Sequence, residues 1–225
     1  MRVVCAKIKN RVDGFIHIKL SQGTTRVMNY FPFFLVENFL DQEHLGFCIE
    51  ASRNLLAIQP NPCSPIITKN RIKKNGTVLA ADILPEKIIA SMHLRYHRRC
   101  MEMLLSLAPH KAELYDYSDF HIVVTPKNHH DPIHDDNRRK LLSGVVYLEP
   151  RINSGTYIYS SLQGAGKKEV PWRVNRGVFF SREGGQTWHS YSGDGINHRI
   201  ALVYNLCSDN YRSYVTSSAS LKACP

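Results

Sequence analysis

The stretch Pro132-Ile133-His134-Asp135-Asp136 decides how the rest of the chain is read. His134 and Asp136 are two residues apart, so in an extended strand both side chains project from the same face. An imidazole beside a carboxylate is two-thirds of the two-histidine, one-carboxylate arrangement that holds Fe(II) and leaves positions open for other ligands. The pair carries weight only if a third ligand follows on a neighbouring strand. Thr187-Trp188-His189-Ser190-Tyr191 supplies one, with His189 in a short aromatic run after the turn Glu183-Gly184-Gly185. Further on, Arg199 opens the apolar run Ile200-Ala201-Leu202-Val203-Tyr204. A guanidinium entering such a strand is costly unless it is paired, and a bidentate carboxylate contact answers it best. That strand holds no nearby acid, so an organic acid ligand is the candidate partner.

Working outward from these strands, β-rich runs alternate with turn residues throughout the second half: 120–125, 143–148, 156–160, 177–181, 187–191 and 199–206. Val, Ile, Tyr and Phe dominate them, which points to a sandwich or closed barrel. The first half carries helical periodicity instead. Asp41 can cap a helix running to about Ala57, with Leu45, Cys48, Ile49, Leu55 and Leu56 on its apolar stripe. Pro85 suits the first position of a second helix that runs to about Leu107, with Ile88, Met92, Tyr96, Met103 and Leu104 facing inward. Residues 59–78, with three prolines and Gly76, read as a loop. The expected fold is mainly β (α+β): a jelly roll buttressed by N-terminal helices. No repeat or linker divides the chain, so a single domain over 1–225 is expected, with a helical part (1–111), a jelly-roll core (112–208) and a tail (209–225).

The chain has 225 residues and a net charge of +10, with 43% hydrophobic residues. That is enough apolar content for a sizeable core, and the charge favours acidic partners. None of the six cysteines forms a C-x-x-C pair, which excludes zinc knuckles and thioredoxin-type motifs. The N-terminus lacks a long apolar stretch, and no apolar run is long enough to span a bilayer. A cytoplasmic protein with free thiols and no membrane contact is therefore expected.

His134-x-Asp136, His189 and Arg199, taken together, resemble the signature of the 2-oxoglutarate/Fe(II)-dependent oxygenases, and within them the prolyl-hydroxylase-like group. The resemblance runs from Val123 to Leu206. Tyr147-Leu148-Glu149 followed by Ser154-Gly155-Thr156 is similar to the group's Tyr-Leu-Asn … Gly-Gly-x-Thr stretch, and Gly177-Val178-Phe179-Phe180 to the strand before its distal histidine. The resemblance implies a double-stranded β-helix, with the metal pair near the end of its second strand, the distal histidine on the seventh and the arginine on the eighth. It implies that His134, Asp136 and His189 hold Fe(II), and that Arg199 and Tyr147 bind the distal carboxylate of the co-substrate 2-oxoglutarate. It also implies that O2 is consumed, that a C–H bond is hydroxylated, and that succinate and CO2 are released.

The pattern is not complete. Thr125, before Pro126, stands where relatives often have a tyrosine, and Glu149 replaces the usual asparagine. Asn205 occupies the place of a second arginine in the nucleic-acid demethylase branch, which disfavours a nucleic-acid substrate. Tyr157 and Tyr159 alternate with Ile158 and are candidate pocket residues. Alternation predicts an exposed Asp135, and Trp188 is expected in the core or barrel wall. Arg138, Arg139 and Lys140 read as a solvated loop. The substrate stays open: a prolyl or other peptidyl residue, an acidic partner, or a free amino acid, sugar or small metabolite. A non-redox cupin-like metalloenzyme and a non-catalytic jelly-roll binding module are the competing functions.

Overall fold

The structure is a computed structural model that describes residues 9–12, 15–19, 24–27 and 30–210. In chain order its strands are β1 (Lys9–Val12), β2 (Phe15–Lys19), β3 (Thr24–Val27), β4 (Phe33–Val36), β5 (Ile66–Ile67), β6 (Asn70–Lys73), β7 (Val78–Ala81), β8 (Tyr117–Thr125), β9 (His130–His134), β10 (Lys140–Glu149), β11 (Thr156–Ile158), β12 (Lys168–Val170), β13 (Gly177–Phe180), β14 (His189–Ser192) and β15 (Arg199–Cys207). Two helices, α1 (Gln42–Ile58) and α2 (Glu86–Leu107), lie between β4 and β8.

Strands β8 to β15 form two antiparallel sheets that face each other. The major sheet has the order β13-β10-β15-β8 and the minor sheet β12-β11-β14-β9. The chain passes back and forth between them, which makes a double-stranded β-helix. The metal pair lies at the end of its second strand and just beyond, His189 on the seventh, and Arg199 at the start of the eighth. Outside this core, β4 to β1 continue the major sheet beyond β13, and β6 and β7 continue it beyond β8.

The long central strands are apolar on both faces because both are covered. On β10, Leu142, Val146 and Leu148 point outward and join Ile89, Met92 and Leu104 of α2 in one core cluster. Between them, Val145 and Tyr147 point inward and meet Ile158 and Val170 of the minor sheet in a second. Met92 and Leu104 are fully buried, a burial that contributes about 1.5–3 kcal/mol for each side chain. Gly144 allows this packing. It lies opposite Phe179 across the sheet, and a Cβ there would overlap the Phe179 ring and the Tyr204 carbonyl.

The helices form where periodicity places them. Asp41 caps α1 and accepts the His44 N–H at 2.9 Å. Pro85 sits one residue earlier than expected, at the cap of α2 rather than its first turn. Two other expectations are corrected. The helical part, 1–111, also contributes seven strands to the major sheet. The loop over 59–78 holds β5, β6 and the start of β7, because Ile72 is fully buried and Asn70 donates to the Phe120 carbonyl at 2.9 Å. The proline-bearing part up to Pro65 is irregular, as are the short connections 68–69 and 74–77 between these strands. β9 is also a strand, although it contains Pro132. It lies at the edge of the minor sheet, where a missing N–H is tolerated.

Among the described residues no helix is long and apolar enough to cross a membrane. Cys48, Cys63, Cys100 and Cys207 are free thiols.

Candidate metal centre

β9 and β14 pair antiparallel with His134 directly opposite His189. Their ring centroids are 4.3 Å apart. Asp136 follows two residues after His134, and one ligand atom from each of the three lies within 4.8 Å of the others. The hydrogen bonds around this group settle which atoms face the centre. His134 Nδ1 donates to the Pro132 carbonyl and His189 Nδ1 to the Thr187 carbonyl, both at 2.9 Å. Each ring therefore keeps its proton on Nδ1 and presents the bare Nε2, the tautomer a metal requires.

Asp136 is 9% exposed. Burial alone would raise its pKa, but the Lys140 ammonium and His189 outweigh it and hold the group at about 2. Lys140 Nζ contacts Oδ1 at 2.6 Å, while Oδ2 faces His189 Nε2 at 3.9 Å. One carboxylate oxygen is thus committed to lysine and the other is free for a metal. Burial lowers the pKa of His189, with Asp136 acting against it, so the ring stays neutral. Two nitrogens and one ionised oxygen on converging side chains are the donor set expected of the facial triad.

Asp135 is not exposed. β9 has ended before it, so strand alternation no longer applies. Its carboxylate takes Arg182 Nη2 at 2.9 Å, the Thr187 hydroxyl and the Gly185 N–H. Arg182 also donates to the Asp136 carbonyl at 2.5 Å. This network ties the segment bearing His134 and Asp136 to the turn that leads into His189. Lys140 likewise leaves the solvated loop expected of it, whereas Arg138 and Arg139 are exposed.

The triad opens into a cavity of about 380 Å³, and Arg199, Thr125, Tyr191 and Thr156 line its far end. Arg199 lies opposite Thr125 across the sheet. The guanidinium is caged by aromatic rings, 4.1 Å from the Tyr191 centroid, 5.6 Å from Tyr147 and 5.8 Å from Trp172. It makes no ion pair with the described residues, and its Nε is buried without a hydrogen-bond partner. Burial lowers its pKa, while Tyr147, Tyr191 and Asp131 work in the opposite direction. Aromatic faces attract a cation, but they offer no oxygen to its N–H groups.

The other sequence-predicted residues are distributed unevenly. Tyr147 is fully buried and its hydroxyl is engaged, donating to Thr156 Oγ1 and accepting the Thr156 N–H, both at 2.9 Å. Its ring stacks on Trp172 at 4.4 Å, so it lies behind the cavity wall. Tyr157 and Tyr159 do not line the cavity. Tyr157 lies under Lys167, and the Tyr159 hydroxyl meets Ser190 at 2.8 Å. Trp188 is half-buried, outside both core clusters, and donates to the Gly185 carbonyl at 3.0 Å. Sequence reasoning missed Lys140, Tyr191 and Trp172. Only Tyr191 carried a signal, two residues from His189 in the same short strand.

No protein-family model matches this sequence, and no curated protein matches it either. Solved structures do share the fold. One is a prolyl hydroxylase from Trichoplax adhaerens, in complex with a peptide fragment of the hypoxia inducible factor oxygen degradation domain. It is 14% identical, has a TM-score of 0.55, and the match covers 86% of this chain and 87% of that one. A Pseudomonas putida prolyl-4-hydroxylase is 15% identical with a TM-score of 0.50, covering 78% and 92%. A prolyl 4-hydroxylase from Phytophthora capsici is 13% identical with a TM-score of 0.50, covering 79% and 59%. At this identity the likeness is one of fold.

Proposed function

We propose that the chain is a 2-oxoglutarate- and Fe(II)-dependent oxygenase that hydroxylates a C–H bond. The observation that carries this reading is the pairing, in one cavity, of a complete facial triad with a buried arginine that lacks an anion. His134, Asp136 and His189 would hold Fe(II). Bound iron would supply the oxidative chemistry, using O2 and the decarboxylation of 2-oxoglutarate to succinate and CO2. The chain's own residues position and shield. Lys140 and the Asp135–Arg182–Thr187 network fix Asp136 and the turn before His189. Arg199 takes the distal carboxylate, with Thr125, Tyr191 and Thr156 around it. Tyr147 braces the cage from behind, and Val123, Val145 and Val203 keep the middle of the cavity apolar.

A peptidyl substrate is favoured, since one protein of the same fold is seen with a peptide bound. A cupin-like metalloenzyme or a binding module would leave Arg199, which makes no ion pair with the described residues, without a purpose. The test is succinate formation from 2-oxoglutarate by purified protein with Fe(II) and O2. Turnover should fall to background in both Asp136→Ala and Arg199→Ala. Wild-type rates in both variants would refute the assignment.

A further inference from the structure

The cavity is longer than a five-carbon diacid needs. Arg199 and Asn205 both line it, six residues apart on β15, which is roughly 20 Å of strand. Asn205 lies in register between Asp119 of β8 and Ser143 of β10, and Ser143 faces Phe180 of β13. Phe180 meets the His189 ring edge-on at 4.9 Å. This rung of the major sheet therefore lies beneath the triad at its β13 side and runs away from it toward β8. A co-substrate reaching from the triad to Arg199 leaves the β8 side vacant.

The charged groups on that side are answered from within the chain, and two uncharged polar groups, the Ser143 hydroxyl and the Asn205 carboxamide oxygen, are not. Asp119 takes Arg71 Nε at 2.6 Å and Nη2 at 3.3 Å, and His121 Nε2 lies 3.3 Å away. His121 Nδ1 faces the Thr68 carbonyl at 2.9 Å. Asn205 is 2% exposed and its Oδ1 has no hydrogen-bond partner. Leaving a buried amide oxygen unpaired is costly, and such atoms are normally matched. The side chain is uncharged and combines an acceptor with two donors at one tip. Arg71 already neutralises the neighbouring carboxylate, so the subsite calls for neither a cation nor an anion. Its complement is a group of the same kind.

We infer that Asn205 is a specificity-determining residue that receives a peptide-type amide of the primary substrate, on the side of the cavity remote from Arg199. The inference deepens the oxygenase reading and rests on it for the identity of that guest as substrate. It is tested by NMR on the isotope-labelled full chain, with N-acetylalaninamide as the probe and 2-oxoglutarate titrated separately.

The amide probe should shift the Asn205 side-chain signals and the Val203 methyls, and 2-oxoglutarate should shift Tyr191 and Thr125. Asn205→Leu should weaken the probe about tenfold or more, the loss of one buried hydrogen bond. Asn205→Gln, which keeps the carboxamide, should recover part of it, and Asn205→Ser repeats the test if Leu prevents folding. The inference is overturned if the probe leaves Asn205 unmoved, if Asn205→Leu binds it as tightly as wild type, or if acetate or methylammonium binds there more tightly. If amide binding holds while 2-oxoglutarate shifts nothing near Arg199, the co-substrate assignment falls and the amide site is upheld.

Discussion

His134, Asp136 and His189 on one side of the cavity and Arg199 on the other are treated in opposite ways by the chain that surrounds them. The triad is completed internally: each Nδ1 has a carbonyl, Asp136 has Lys140, and Asp135 binds Arg182 and Thr187. Arg199 has the faces of three aromatic rings around it and makes no ion pair with the described residues. The metal end is thus set before anything binds. The arginine end carries an unanswered charge, a cost that only a bound anion removes. Substitutions at the two ends should differ in sign as well as in size.

The largest effect is expected at the metal end. Asp136→Ala should abolish Fe(II) binding and reduce 2-oxoglutarate turnover to background, read by calorimetry and succinate assay. Next comes Arg199→Met. Affinity for 2-oxoglutarate should fall roughly a hundredfold or more, as expected when a buried charge loses its partner. The ligand-free protein should gain stability, of order 1–4 kcal/mol, because the substitution removes an unpaired buried cation. A raised Tm alongside weakened binding would be the signature of this end, and a lowered Tm would break the contrast.

Lys140→Met should be milder. It leaves all three ligands in place but frees the second oxygen of Asp136, and metal affinity should drop about 10–100-fold. An unchanged affinity would mean that Asp136 needs no help from lysine.

The smallest effect lies away from both ends, on α2. His97 stacks on His93 at 4.6 Å and lies 4.8 Å from the Tyr115 ring. Burial, aided by His93, lowers its pKa from 6.5 to about 4. The unfolded chain therefore takes up the proton first. The stability this neutral ring contributes is complete above pH 6.5 and is lost as pH falls toward 4. His97→Phe should flatten the decline of Tm over that window, with no change in metal or 2-oxoglutarate binding at neutral pH.

The two ends were also unequally legible in the sequence. His134, Asp136 and His189 could be read because strand alternation is local, and Arg199 because a charge opening an apolar strand is conspicuous without knowledge of its neighbours. Lys140 was hidden among Arg138 and Arg139. Only the start of β10 separates it from them, and a spacing of four from Asp136 means nothing in a loop. Asp135 was misjudged because alternation was carried past the end of β9. Tyr147 was given a hydroxyl free for a ligand, but Thr156, brought beside it only by the folded sheets, uses that hydroxyl on both sides. Tyr191 and Trp172 became visible as a cage once β14 and the segment after β12 were seen to meet at Arg199. The jelly roll followed from strand runs whose turns are local. The strands within 59–81 were missed because prolines at one end of the segment coloured the reading of the rest.

The central claim is that one diacid bridges the two ends. Calorimetric titration of 2-oxoglutarate into the anaerobic protein, with and without Fe(II), tests it most directly when repeated on His189→Ala and Arg199→Met. Binding should require the metal and should be lost or greatly weakened in either variant. Equal affinity without metal, or in both variants, would contradict the claim.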